Sequence, residues 1–172
     1  MAAALPEPLA GRLALARGPA LITLVVTLAR LGLELAQAPK WLASREAGGP
    51  LAVLGIAWLP LVFGPWFALR IGRALPTTGA RAMRLVTTLA VYGWLARIPV
   101  VAVTFVNLAT GWDTHYVKFG PPGTTPPSLQ NRILLTLGFQ LGVWVVWTIL
   151  AGLIAGLVAL AVARRPAAPA PA

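Results

Sequence analysis

The sequence contains no cysteine, a single histidine and only four acidic residues among its 172 residues. Without cysteine there are no disulfides, thiolate metal sites or cysteine nucleophiles. A catalytic zinc site usually takes three protein ligands, which one histidine and four acids can hardly assemble. The only serines, Ser44 and Ser128, stand in no activating sequence context. We therefore predict a protein that is not an enzyme and that carries no metal and no cofactor.

Charged residues are scarce, whereas apolar residues dominate. Hydrophobic types make up 58% and charged types 10% of the chain, while a soluble domain has about 25% charged residues. The mean hydropathy of +0.80 likewise predicts an integral membrane protein, with the lipid bilayer as its main partner. The 14 basic residues give a net charge of +10, but they are scattered between apolar runs. Nucleic acid is therefore not expected as a partner.

Four apolar stretches are long enough for the roughly 20 helical residues that cross a hydrocarbon core of about 30 Å. They cover residues 19–37, 50–69, 82–108 and 133–163. Helices are expected because every backbone amide in lipid needs a partner within its own segment. The predicted fold is an all-α membrane protein, a bundle of four transmembrane helices over residues 19–163. Residues 1–18 are predicted as a cytoplasmic segment with the spacing of a short surface helix, and residues 164–172 as a disordered cytoplasmic tail.

The distribution of basic residues between the connections predicts the orientation. Eight lie on one side of the four stretches and four on the other; the eight are Arg12, Arg17, Arg70, Arg73, Arg81, Arg84, Arg164 and Arg165. The positive-inside rule then places both termini in the cytoplasm and the chain in the inner membrane. The first stretch also has the parts of a signal peptide, and its cleavage would leave three spans.

Three ionisable residues, Arg30, Glu34 and Arg97, fall inside predicted spans. Arg30 and Glu34 belong to a polar stripe within about 80° of the first helix, together with Thr23, Thr27 and Gln37. A charge at the centre of a membrane helix costs about 2.5–3.5 kcal/mol, so the stripe is expected to face the bundle or a partner. Arg97 reaches a similar depth on the third helix. The three residues form either a structural clamp between these helices or a site for an anion, a lipid headgroup, a quinone-like ligand or a partner's carboxylate.

The second and fourth spans carry glycine and proline patterns that predict their packing. The second span contains Gly55, Pro60, Gly64 and Pro65, which predict a kinked or broken helix. The fourth span has two GxxxG pairs on one face, Gly138 with Gly142 and Gly152 with Gly156. This helix-packing face lets another backbone approach closely, from either another helix of the chain or a second copy.

The connection between the third and fourth spans, residues 111–132, is rich in proline and aromatic residues. Its residues Trp112, Asp113, His115 and Tyr116 are predicted to form a polar and aromatic patch outside the membrane, with Asp113 able to pair with His115. The patch either binds a partner or fixes the loop by hydrogen bonds. Ser128 is expected to cap the last helix.

These features predict a small inner-membrane protein with a binding or assembly role. The favoured hypothesis is a non-enzymatic accessory or assembly subunit that contacts a membrane-protein partner, or a second copy, through helix packing and the outer loop. The alternative is a small transporter or ligand-binding membrane protein that uses the buried Arg30, Glu34 and Arg97.

Overall fold

A computed structural model describes residues 9–43, 55–74, 78–119 and 123–163, and the regular secondary structure of these residues is helical, with no strand among them. The helices are α1 (Leu9–Leu35), α2 (Leu59–Ala74), α3 (Thr78–Thr110), α4 (Leu129–Gly138) and α5 (Trp144–Ala163). A 3₁₀ turn spans His115–Val117, and a π-helical segment, Phe139–Val143, joins α4 to α5 in one continuous rod. The prediction of an all-α fold is confirmed.

Three helical rods are long and apolar enough to cross a membrane: Leu9–Leu35, Gly79–Thr110 and Leu129–Ala163. This confirms the coarser expectation of a helical membrane protein. The remaining helix, α2, has 16 residues and a length of about 24 Å, which is less than the thickness of a hydrocarbon core.

Several helix boundaries differ from those expected from the sequence. The helix α1 begins at Leu9 and continues through Pro19, so the described part of the predicted surface segment belongs to the first long helix. Pro19 lacks an N–H, but its carbonyl accepts a hydrogen bond from the Thr23 hydroxyl at 2.9 Å. The last rod begins at Leu129, and Ser128 caps it by accepting from the amide of Asn131, as predicted. Residues 1–8 and the predicted tail lie outside the described residues.

The prolines of the second span determine where α2 begins. Residues 55–58 are not helical, and Pro60 lies in the first turn of the helix, where its missing N–H removes no hydrogen bond. Pro65 lies inside the helix. The predicted break is therefore a late start of α2, and residues 50–54 lie outside the described residues.

The helix α3 lies at the centre of the bundle, in contact with α1, α2 and α5. The core between α2 and α3 is aromatic, with the Phe63 and Tyr92 ring centroids 5.4 Å apart in an edge-to-face arrangement. The hydroxyl of Tyr92 also shares a hydrogen bond of 2.9 Å with Thr23 of α1. This bond satisfies a buried phenol and joins α1 to the centre of the bundle.

The polar stripe of α1 faces the bundle, as predicted. Its buried residues include Thr23, Thr27, Arg30 and Glu34. Thr23 and Thr27 bond to carbonyls four residues earlier, which satisfies their hydroxyls within the helix. Gln37 lies beyond the end of α1, with a positive φ of 57° and an exposed side chain.

The two GxxxG pairs have different surroundings. A Cβ placed on Gly152 would lie 2.5 Å from the Leu89 side chain, and one on Gly156 would lie 2.8 Å from Leu85, so this pair packs inside the bundle against α3. Gly138 and Gly142 have no described atom within 4 Å of such a Cβ. The structure thus places half of the predicted packing face within the chain and leaves the other half open.

Candidate functional site

A cavity of about 620 Å³ lies between α1, α3 and the α4–α5 rod, near the end of the bundle that carries the 3₁₀ turn. Its wall combines basic, polar, aromatic and aliphatic side chains. They include Arg30, Arg97, Thr104, His115, Tyr116, Lys118, Phe119, Leu135, Thr136, Phe139, Gln140 and Trp144. A volume of about 300–1,000 Å³ and a mixed lining with a few convergent polar groups are typical of small-molecule sites.

Arg97 is the charged residue of α3 on the cavity wall, and its side chain is only 4% exposed. Its Nη1 donates a long hydrogen bond of 3.5 Å to Oε1 of Gln140, and its Nε is buried without a hydrogen-bond partner. Among the residues that the structure describes, no carboxylate is paired with this guanidinium. A buried guanidinium with unused donors is expected to attract an anion or polar group into the cavity.

The partners of Arg97 come from the π-helical segment and the turn that follows it. Gln140 lies in the π segment and Trp144 is the first residue of α5. The guanidinium carbon of Arg97 lies 4.9 Å from the centroid of the Trp144 ring, a cation–π arrangement. A π turn adds one residue to the helical repeat, and such turns occur frequently at functional sites.

Glu34 forms a buried cluster with Arg30 and His115. The Nε of Arg30 donates to Oε1 of Glu34 at 2.7 Å, and the backbone N–H of His115 donates to Oε2 at 2.9 Å. The imidazole Nδ1 of His115 lies 2.5 Å from Oε1. Glu34 therefore connects α1 to the 3₁₀ turn, and the structure does not pair it with Arg97, which was the interhelical alternative considered from the sequence.

His115 and Tyr116 turn inward and close one side of the cavity. Burial lowers the pKa of His115 below its usual value, the carboxylate of Glu34 opposes that shift, and the Arg30 guanidinium adds to it. Burial likewise raises the pKa of the Tyr116 phenol. The Tyr116 hydroxyl donates to the carbonyl of Thr27 at 3.3 Å. Both rings are therefore uncharged at neutral pH, and both line the cavity.

The predicted loop patch is divided between the surface and the cavity. Trp112 and Asp113 are exposed, and Asp113 forms an ion pair with Lys118. His115 instead lies against Glu34, so the structure separates the two members of the pair considered from the sequence. The hydroxyl of Thr114 donates to Oδ1 of Asn107 at 2.7 Å, which fastens the loop to the end of α3.

The irregular chain before α2 also lines the cavity, through Gly55, Ile56 and Ala57. The carbonyl of Ala57 accepts a hydrogen bond of 2.9 Å from Nε1 of Trp147 on α5. Non-helical backbone at membrane depth is tolerated where protein surrounds it or where it borders a cavity. This segment meets that condition.

Sequence reasoning identified Arg30, Glu34 and Arg97 but not the groups that complete their surroundings. Neither Trp144 nor Gln140 was predicted to contact Arg97. One feature of the sequence could have indicated the contact between His115 and Glu34. The only histidine in the sequence follows the third predicted span, at the same end of the bundle as Glu34. Within residues 9–43, 55–74, 78–119 and 123–163, no three His, Asp or Glu side chains converge to hold a metal ion.

Comparisons with known proteins add no family to these observations. No family model matches the chain, and neither the curated proteins nor the solved structures include one significantly similar to it.

Proposed function

We propose that this protein is a membrane-embedded binding protein that holds a small amphiphilic molecule in the cavity between α1, α3 and the α4–α5 rod. The observation that carries the proposal is the cavity itself, about 620 Å³ in volume, in which the buried and incompletely bonded Arg97 lies beside aromatic and aliphatic side chains. An amphiphile satisfies both parts of this wall, since its head takes hydrogen bonds and its body covers apolar surface.

The proposed setting is the inner membrane, with four crossings and both ends of the chain in the cytoplasm. The distribution of basic residues supports this orientation. The fourth crossing uses α2 together with residues 55–58, because the helix alone is shorter than the hydrocarbon core. In this orientation the cavity lies toward the outer side of the membrane, beneath the loop that contains His115.

Filling the cavity tests the proposal. Leu135 lines the cavity and is 36% exposed, whereas its neighbour Leu134 does not line it and is 59% exposed. We expect Leu135→Trp to reduce the amount of amphiphile that copurifies with the protein by about tenfold or more, because the indole occupies the space of the ligand. Native mass spectrometry and lipid extraction of protein purified in a nonionic detergent measure this amount.

Leu134→Trp is the matched control, since it makes the same change one residue away on the surface. It should leave the bound amphiphile unchanged. Equal loss from both variants, or protein that carries no stoichiometric amphiphile and takes none up from an added pool, contradicts the proposal.

The accessory-subunit hypothesis remains a second candidate, favoured by the open Gly138 and Gly142, where a backbone from another chain can approach. A specific partner retained in mild detergent, and lost on Gly142→Leu, supports this candidate. Gly138 and Gly142 lie in the same stretch of the rod as the cavity wall but do not line the cavity, so the two roles are compatible.

A further inference from the structure

We infer that the amphiphile carries an anionic head of carboxylate or phosphate type, held by Arg97 and Gln140, with its apolar body against Trp144, Phe139 and Leu135. This inference rests on the proposed function and specifies its ligand. Arg97 indicates the chemistry of the ligand's head, and the aromatic and aliphatic wall next to Arg97 indicates an apolar body.

The charge of the cavity selects an anion over a cation. Three basic side chains line the wall, Arg30, Arg97 and Lys118. The two described carboxylates are already engaged, because Glu34 bonds Arg30 and Asp113 pairs with Lys118. The positive charge of Arg97 is therefore uncompensated among the described residues, at a depth where an isolated charge is costly.

The geometry of Arg97 selects an oxyanion over a simple halide. A guanidinium presents its donors in a planar fork that matches two oxygens of a carboxylate or phosphate. One of these donors, Nε, is buried without a partner, and Nη1 makes only the 3.5 Å contact with Gln140. The amide nitrogen of Gln140 supplies a further donor to the same head.

The aromatic and aliphatic wall distinguishes an amphiphile from a free anion. The Trp144 ring lies against the guanidinium, and Phe139 and Leu135 continue the wall from the same rod. A free phosphate or acetate would leave this apolar surface uncovered. The apolar body of an amphiphile would cover it.

A series of ligands with one chain length and different heads tests the inference. The probes are dodecanoate, dodecyl phosphate, dodecanol and methyl dodecanoate, each competing with radiolabelled dodecanoate for wild-type protein in nonionic detergent. We expect the two anions to bind about 10- to 100-fold more tightly than the two neutral compounds, as hydrogen bonds to a charged group imply. Acetate and inorganic phosphate, which are heads without bodies, should not compete at millimolar concentration.

Variants at Arg97 test whether the preference for anionic ligands depends on this side chain. Arg97→Gln should remove the preference for anions, and Arg97→Lys should keep part of it, since the charge remains but the fork is lost. Arg17→Gln is the matched control: Arg17 is exposed on α1, 13 residues before Arg30 and thus about 20 Å away along the helix. That variant should bind dodecanoate as the wild type does.

Each result bears on a different part of the inference. Equal affinity of wild-type protein for dodecanoate and dodecanol overturns the anionic head while leaving the cavity as an amphiphile site. Competition by acetate or inorganic phosphate as strong as that of dodecanoate overturns the amphiphile. If Arg97→Gln does not fold, the ligand series with wild-type protein still tests the preference for anions, and Arg97→Lys still tests its dependence on the guanidinium. The proposed function itself is overturned if no probe binds to wild-type protein and Leu135→Trp does not change the amount of amphiphile that copurifies.

Discussion

Glu34 illustrates, at the scale of a residue, how one buried carboxylate organises chain segments far apart in the sequence. It is 1% exposed and contacts Arg30 of its own helix and both the backbone and ring of His115, 81 residues later. Removing one member of such a buried cluster leaves the others with unsatisfied charge or hydrogen bonds. The position of the loop over the cavity therefore depends on this side chain.

The stability of this cluster should depend on the charge of His115. The pKa of His115 is lower in the folded protein than in the unfolded chain, so the unfolded chain binds the proton more readily. The stabilisation by neutral His115 is complete above the unfolded pKa of about 6.5 and is lost as the pH falls below it. We expect the melting temperature of the detergent-solubilised protein to fall between pH 7 and pH 5.

His115→Asn is the comparison for this measurement, because its amide can still donate to Glu34 but does not titrate in that range. Its melting temperature should change less with pH than that of the wild type. Parallel pH profiles for the two proteins would exclude His115 as the origin of the effect.

At the scale of the element, the close approach of α2 to α5 depends on glycine. A Cβ on Gly64 would overlap the backbone of Gly152, which cannot move aside as a flexible side chain does. By contrast, Gly138 faces open space in the same rod as Gly152. A side chain is therefore excluded by packing at Gly64 but not at Gly138.

Alanine at these two glycines should therefore have opposite effects on stability. We expect Gly64→Ala to destabilise the protein by about 1–3 kcal/mol, because α2 and α5 must separate. Gly138→Ala should be neutral or stabilising by up to about 1 kcal/mol, since alanine favours a helix more than glycine does. Reversible unfolding in mixed micelles measures both, and equal destabilisation would contradict the packing described for α2 and α5.

At the scale of the whole molecule, the proposed orientation predicts on which side of the membrane the cavity lies. The absence of cysteine in the sequence makes single-cysteine labelling straightforward. Thr125 in the loop before α4 and Ala10 at the start of α1 are both exposed, at opposite ends of the bundle. A membrane-impermeant maleimide can therefore report the side on which each end lies.

The proposed orientation predicts the labelling pattern in intact cells with a permeabilised outer membrane. Thr125→Cys should react fully, and Ala10→Cys should react only after the inner membrane is disrupted. The reverse pattern would place the cavity toward the cytoplasm. Reaction of both residues before disruption would mean that the chain does not cross the membrane as proposed.

The polar stripe of α1 was predictable because helical periodicity alone brings Thr23, Thr27, Arg30 and Glu34 to one face, and lipid excludes that face. The cap at Ser128 was predictable for a similar reason, since it depends on a local hydrogen bond. The start of α2 was harder to predict from the sequence, because Pro60 is compatible both with a break in a long helix and with the first turn of a shorter one.

The sequence by itself determined that the chain is helical and apolar enough for a membrane, and that Arg30, Glu34 and Arg97 must avoid lipid, because these properties follow from composition and local periodicity. Tertiary structure alone decided their partners. Glu34 meets His115 rather than Arg97, and Arg97 meets Gln140 and Trp144, because the rotation of each helix and the π segment depend on packing between distant residues. The cavity exists only where those separately determined faces meet.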